Sequence, residues 1–193
     1  DLVLSMTMLG RVERDSELRR GGAQPGDTLY VSGTIGDAGI GLRATRGELP
    51  DLDPDARAFF LDRLLHPSPR LRLGRALVAV ASAAIDVSDG LLADLGHLCE
   101  QSGVAATIRL DDVPISPHAA ELGGDGMDRL SSGEDYELLF TAPTQQRDAI
   151  AGVAGRLGIA ITAIGAIAEG VGVRVVDADG NAIAVERGGY THF

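Results

Sequence analysis

The stretch AIDVSDGLLADLGHLCEQSG, residues 84–103, constrains this chain more than any other. It opens as a short apolar run of the kind that makes a buried strand. Leu91, Leu92, Leu95 and Cys99 then recur at helical spacing, and Gly103 supplies a stop signal. A strand that passes directly into an amphipathic helix needs a sheet with that helix packed back on it. Between the two lie Asp86, Ser88 and Asp89, at the carboxyl end of the strand, where ligands of open sheets commonly bind. Ser88 or Asp89 could cap the helix, since a side-chain oxygen there satisfies a free amide and an acid opposes the positive end of the macrodipole. Capping accounts for one acid and gives no reason for the second. Two neighbouring carboxylates repel and invite a cation, and Mg²⁺, which takes one or two carboxylates and shares phosphate oxygens, suits them. Both readings stand on the residues alone.

Periodicity elsewhere predicts a strand over 28–32, a short helix after the glycine-rich GTIGDAGIGL, a helix over 55–65 and a well-buried helix over 70–82. The prolines of HPSPR separate the last two, and His66 falls in that loop. VAATIRL reads as a strand. Residues 111–128 read as irregular, with one helical turn near Ala119, and the stretch from 131 as a loop entering a strand at about Tyr136. A helix over 144–157 and strands in IAITAIGAIAEG and VGVRVVDADGNAI complete the pattern, the last divided by an Asp-Gly turn. Helices and strands without strict alternation predict an α+β fold, a mixed β-sheet layered with α-helices. His97 is expected on a helix surface, His118 in a loop, and Cys99 in the core.

Of the 193 residues 45% are hydrophobic and 23% charged, the balance of a globular chain. Acids outnumber Lys and Arg 28 to 17, a formal charge of −11 that disfavours nucleic acid and anionic lipid as partners. A single cysteine excludes an internal disulfide and a cysteine-rich zinc site. No apolar run reaches the ~18 residues of a membrane span, and no secretion signal is visible, so the expected location is cytoplasmic. Neither a Walker pattern nor G-x-G-x-x-G, H-E-x-x-H or G-x-S-x-G occurs.

Three further places could carry chemistry. SSGEDYELLF packs Glu134, Asp135 and Glu137 into four positions: either a solvated turn or, through Glu134, a partner for a cationic ligand. LRRGGAQPGD sets Arg19 and Arg20 beside flexible backbone, a plausible phosphate contact. The tail GGYTHF could dock its aromatic rings over a heterocycle or simply pack on the core.

IDVSDGLLADLGHL, SGEDYELLF, LRRGGAQPGDTLYVSGTIGDAGIGL and GYTHF together resemble the thiamine-monophosphate kinases over essentially the whole chain. That family transfers the γ-phosphoryl of ATP to thiamine monophosphate, giving thiamine diphosphate. It belongs to a superfamily with aminoimidazole ribonucleotide synthetase and selenophosphate synthetase, and the resemblance implies the fold of that superfamily's C-terminal domain. It further implies that Asp86 and Asp89 hold Mg²⁺ ions, several being used, and that Ser88 and Arg20 contact ATP. Glu134 and Tyr190 match positions that contact thiamine monophosphate. No residue reads as a general acid, general base or nucleophile. Members of the family also have an N-terminal domain bearing further metal ligands, much of the nucleotide site and a homodimer interface. Residues 1–12, which alternate in strand fashion, are expected to be that domain's last strand and 13–193 the C-terminal α+β domain, so the chain alone should turn over little or not at all. The competing readings are another ATP-using enzyme of the superfamily and a non-catalytic module that binds a metal or ligand.

Overall fold

The computed structural model of the chain describes residues 3, 5–14, 16–123 and 126–184. Its elements run β1 (Asp27–Ser32), α1 (Asp37–Thr45), α2 (Pro54–Leu65), α3 (Leu71–Leu77), β2 (Ala83–Asp86), α4 (Leu91–Ser102), β3 (Ala105–Arg109), α5 (Pro117–Leu122), α6 (Met127–Ser131), β4 (Leu138–Pro143), α7 (Arg147–Leu157), β5 (Ile161–Ala168), β6 (Gly172–Val176) and β7 (Ala182–Ile183). The strands form one sheet in the order β2-β4-β1-β5-β3-β6-β7. Each neighbouring pair is antiparallel except β3 and β6, which run parallel. This is the mixed, helix-layered α+β architecture that the sequence pattern predicts.

Side chains alternate across the pleat and so divide the core into two faces. Leu29, Val31, Ile85 and Leu139 join Leu91, Leu95 and Leu98 of α4 on one face. Tyr30 and Phe140, stacked at 5.3 Å, meet Leu73 and Leu77 of α3 and Ile150 and Val153 of α7 on the other. A smaller cluster of Ile40, Ala56, Phe60 and Ala119 ties α1, α2 and α5 together.

Several local expectations need correction. The helix expected over 70–82 stops at Leu77, and it is only half buried, with Leu71 and Val78 exposed. An Ala-rich run favours helix, but the chain must turn here to enter the sheet: the amides of Val80 and Ala81 both bond the Leu77 carbonyl, and Ser82 N–H already bonds Thr141 O. His118 lies in α5 rather than a loop, with its ring 4.8 Å from that of Phe59. The helical turn expected near Ala119 is α5, and a second short helix, α6, starts at Met127 where none was expected. Apart from these corrections, the described residues 3 and 5–12 pair with no strand of this sheet, and Val3, Met6, Met8, Leu9 and Val12 are exposed.

The site follows from one feature of the topology. β2 and β4 are antiparallel neighbours with Asp86 opposite Leu138. The loop leaving β2 and the loop entering β4 must therefore lie side by side at one end of the sheet.

A candidate active site where β2 and β4 meet

The two loops are joined backbone to backbone. Val87 N–H donates to Glu137 O at 2.9 Å, Tyr136 N–H to Val87 O at 2.8 Å, and Glu134 N–H to Ser88 O at 2.9 Å. Glycine makes this approach feasible: a Cβ on Gly133 would overlap the Ser88 carbonyl oxygen, and one on Gly90 would sit 2.8 Å from Ser131 O. The bonds also hold two non-glycine residues, Glu134 (φ 71) and Tyr136 (φ 50), in the left-handed region, a strain of about 1–3 kcal/mol each that concentrates at functional sites. Glu134 and Tyr136 consequently stand outward, whereas Asp135 and Glu137 are buried.

The buried acids build the frame. Glu137 receives Nε and Nη2 of Arg70 at 2.6 and 2.5 Å, Nη2 of Arg63 at 3.2 Å and the Ser32 hydroxyl at 2.6 Å. Burial pushes its pKa up, but the Arg70 and Ser32 hydrogen bonds and the two arginine charges outweigh that and leave it lowered. Asp135 instead accepts from the amides of Gly36 and Ala38 at the start of α1, at 2.7 and 3.3 Å. Burial dominates there and pushes its pKa up to about 7. This acid-rich run is thus not the solvated turn that was one of its two readings.

Asp86 closes β2, and Ser88 and Asp89 follow it in a half-buried loop. The capping alternative for Ser88 or Asp89 is not what the helix uses: its N-cap is Gly90, which has no side chain to offer. Asp94, one turn into α4 and buried, accepts from the amides of both Ser88 and Asp89. Burial raises its pKa, and the neighbouring charges of Asp89 and Asp86 raise it further. The Tyr136 phenol is raised too, by its hydrogen bond to Glu134, by burial, and by the charges of Glu134, Asp86 and Asp89. Asp86, Asp89, Glu134 and Tyr136 therefore share one electrostatic neighbourhood.

Asp86 also borders two adjoining grooves. One, of about 550 Å³, runs between Tyr136, Leu138 and the Pro69–Gly74 side, with Arg70 in its wall. The other, of about 410 Å³, reaches Arg20 and Leu18. Asp86, Gly74 and Leu138 line both.

Among the described residues no group of three or more His, Cys, Asp or Glu side chains is placed to hold a metal ion on its own. Mg²⁺ makes no such demand: it binds through one or two carboxylates, keeps several waters and takes phosphate oxygens as its remaining ligands. A pair of carboxylates whose charges burden a third, buried one suits a hard dication.

Residues 24–178 match the family described as AIR synthase related protein, C-terminal domain. The chain belongs to that family. Thiamine-monophosphate kinase of Salmonella typhimurium is 40% identical over 98% of this chain and 60% of its own length. The crystal structure of thiamine-monophosphate kinase from Stenotrophomonas maltophilia K279a superposes with a TM-score of 0.79 at 47% identity, covering 89% of this chain and 56% of that one. AaThiL complexed with AMPPCP and TMP gives 0.75 at 34% identity, covering 91% and 54%. The chain thus spans about 60% of the length of the first of these relatives.

Of the residues singled out from sequence, Asp86, Ser88, Asp89 and Glu134 meet at the loop junction, and Arg20 lines the groove beside it. Tyr190 lies outside the described residues. His97 is on the helix surface and Cys99 in the core, where burial pushes its thiol up to about 11, both as expected. Tyr136, Asp94 and Arg70 were missed. Asp94 did carry a signal: it falls three residues after Leu91 and just before Leu95, an acid on the apolar face of a helix.

Proposed function

We propose that this chain is the C-terminal part of a thiamine-monophosphate kinase, which phosphorylates thiamine monophosphate with ATP to give thiamine diphosphate. The observation that carries the reading is the junction of the two loops, which gathers Asp86, Ser88, Asp89 and Glu134 at one end of the sheet in a chain whose relatives bear that name. Asp86 and Asp89 would hold Mg²⁺, several ions serving the site, and the metal would neutralise charge on the phosphates. Ser88 and Arg20 would contact ATP; Glu134 and Tyr190 would contact the second substrate. Glu134 is suited to its part, because a thiazolium is a permanent cation and a carboxylate is its natural counter-charge. A phosphate monoester is already ionised near neutrality, so in-line transfer needs positioning and charge neutralisation rather than a general base.

In this reading the working enzyme is a cytoplasmic homodimer, completed by a domain preceding residues 13–193 and ending in residues 1–12. The test is production of thiamine diphosphate from ATP and thiamine monophosphate by an intact polypeptide carrying this chain together with the region its relatives have beyond it. Turnover is expected there and little or none from the 193-residue chain. Absence of thiamine diphosphate, with ATP consumed on another phosphate acceptor, would transfer the protein to a different branch of the superfamily. In the intact polypeptide, Asp89→Asn should abolish most Mg²⁺-dependent turnover while changing stability by less than ~1 kcal/mol, the amount a lost cap would cost.

A further inference from the structure

We infer that Asp94 is a positioning residue for the cation site, fixing the direction in which Asp89 and Ser88 leave the loop. The inference rests on the metal reading of Asp86 and Asp89. One oxygen, Oδ2, accepts from Ser88 N–H at 2.8 Å and from Asp89 N–H at 3.0 Å, so two successive peptide planes are pinned to a single atom. That atom belongs to a side chain only 2% exposed, and its own amide donates to Gly90 O within the first turn of α4. Around it, Val87 N–H, Val87 O and Ser88 O are committed to Glu137, Tyr136 and Glu134. Asp94 thus supplies a side-chain anchor to a loop that is also tied by backbone bonds.

A helix cap is too weak an explanation for this arrangement. Asp94 is not at the N-cap, and the amides it accepts precede the helix. Placing a third carboxylate under Asp86 and Asp89 costs electrostatic free energy. A dication held by the outer pair would relieve that repulsion, and carboxylates that ligate metals are commonly oriented by such buried hydrogen-bonding partners.

The test uses Mn²⁺ as probe and the intact polypeptide. Asp94→Ala should weaken Mn²⁺ binding about 10–100-fold and raise hydrogen-exchange rates at the Ser88 and Asp89 amides. Because the effect acts through Asp89, Asp94→Ala should cost nothing further in an Asp89→Asn background. Unchanged Mn²⁺ affinity in Asp94→Ala, or an additional loss in the double variant, overturns the inference. If Asp94→Ala does not fold, Asp94→Asn decides: its amide oxygen can accept both bonds. Protected amides with Mn²⁺ binding retained support positioning; protected amides with binding lost assign the effect to charge and overturn it. Wild-type protein that takes up no Mn²⁺ removes the metal reading and this inference together, whereas an affinity untouched by Asp94→Ala removes the inference alone.

Discussion

Asp135 and Glu137 sit two residues apart in one loop, both buried, and they are stabilised in opposite ways. Glu137 faces two guanidinium groups and a hydroxyl, and its carboxylate is held ionised. Asp135 faces two backbone amides, and burial leaves its ionised form poorly supported. Two amides and the Arg63 charge, opposed by that of Asp37, do not offset the desolvation of Asp135, whereas hydrogen bonds from Arg70 and Ser32 together with both arginine charges do so for Glu137. The outward-facing Glu134 and Tyr136 alternate with this pair, so the buried acids decide where these two point.

The largest effect expected from this contrast is at Glu137. Glu137→Ala would leave Arg70, 19% exposed, without its counter-ion, and Arg63, 17% exposed, with only its longer 3.6 Å pair to Asp37. Breaking a buried pair on one side costs about 3–5 kcal/mol. The urea midpoint should fall accordingly, and a loss below ~1 kcal/mol would show that the arginines find water instead and that the two acids do not differ as argued.

Next in size is Gly133→Ala, which leaves every charge in place and separates the loops. The new methyl would meet the Ser88 carbonyl oxygen and the Asp89 Cα, both backbone atoms that cannot swing aside. Overpacking of this kind costs about 1–3 kcal/mol. Exchange protection at the Glu134 amide should be lost with it, since that amide bonds the same Ser88 carbonyl. A variant that keeps both stability and protection would mean that the outward acids do not depend on the junction.

How much of this was legible beforehand depends on the distance between partners. The strand, turn and helix of residues 83–103 were readable because apolar spacing and a terminal glycine are local signals, and Gly103 does adopt the left-handed conformation at the C-cap. The same local reading placed Asp86 and Asp89 where a strand hands over to a helix, and β2 does end at Asp86. It left the capping alternative open because Asp94 Oδ2, which takes the loop amides, looks on paper like any acid in a helical first turn. The burial of Asp135 and Glu137 was invisible: their partners lie at Gly36, Ala38, Arg63 and Arg70, some 67 to 99 positions away. Only the antiparallel pairing of β2 with β4 brings the two acid loops together, and strand order is not written in periodicity. Arg70 was hidden for a related reason, since a proline-flanked loop gives no hint that its arginine turns inward to an acid in the loop entering β4.

The test most specific to the comparison is pH dependence, because the two buried acids should bend the stability curve in opposite directions. For Glu137 the folded pKa is lowered, so its contribution is present above the unfolded glutamate value of about 4.3 and is lost as pH falls through the folded one. For Asp135 the folded pKa, about 7, exceeds the unfolded value of ~3.9, so the folded state binds the extra proton between them. Stability must then decline as pH rises from about 4 to 7 and level off above that. Asp135→Asn removes this group's titration and leaves the other charges, Asp37 and Arg63 among them, in place. The stability of wild type minus that of the variant, from urea midpoints at pH 4.5 to 8, should shrink steadily toward pH 7. If it grows or stays flat instead, the Gly36 and Ala38 amides hold Asp135 as an anion after all, and the distinction between amide-held and arginine-held carboxylates in this loop disappears.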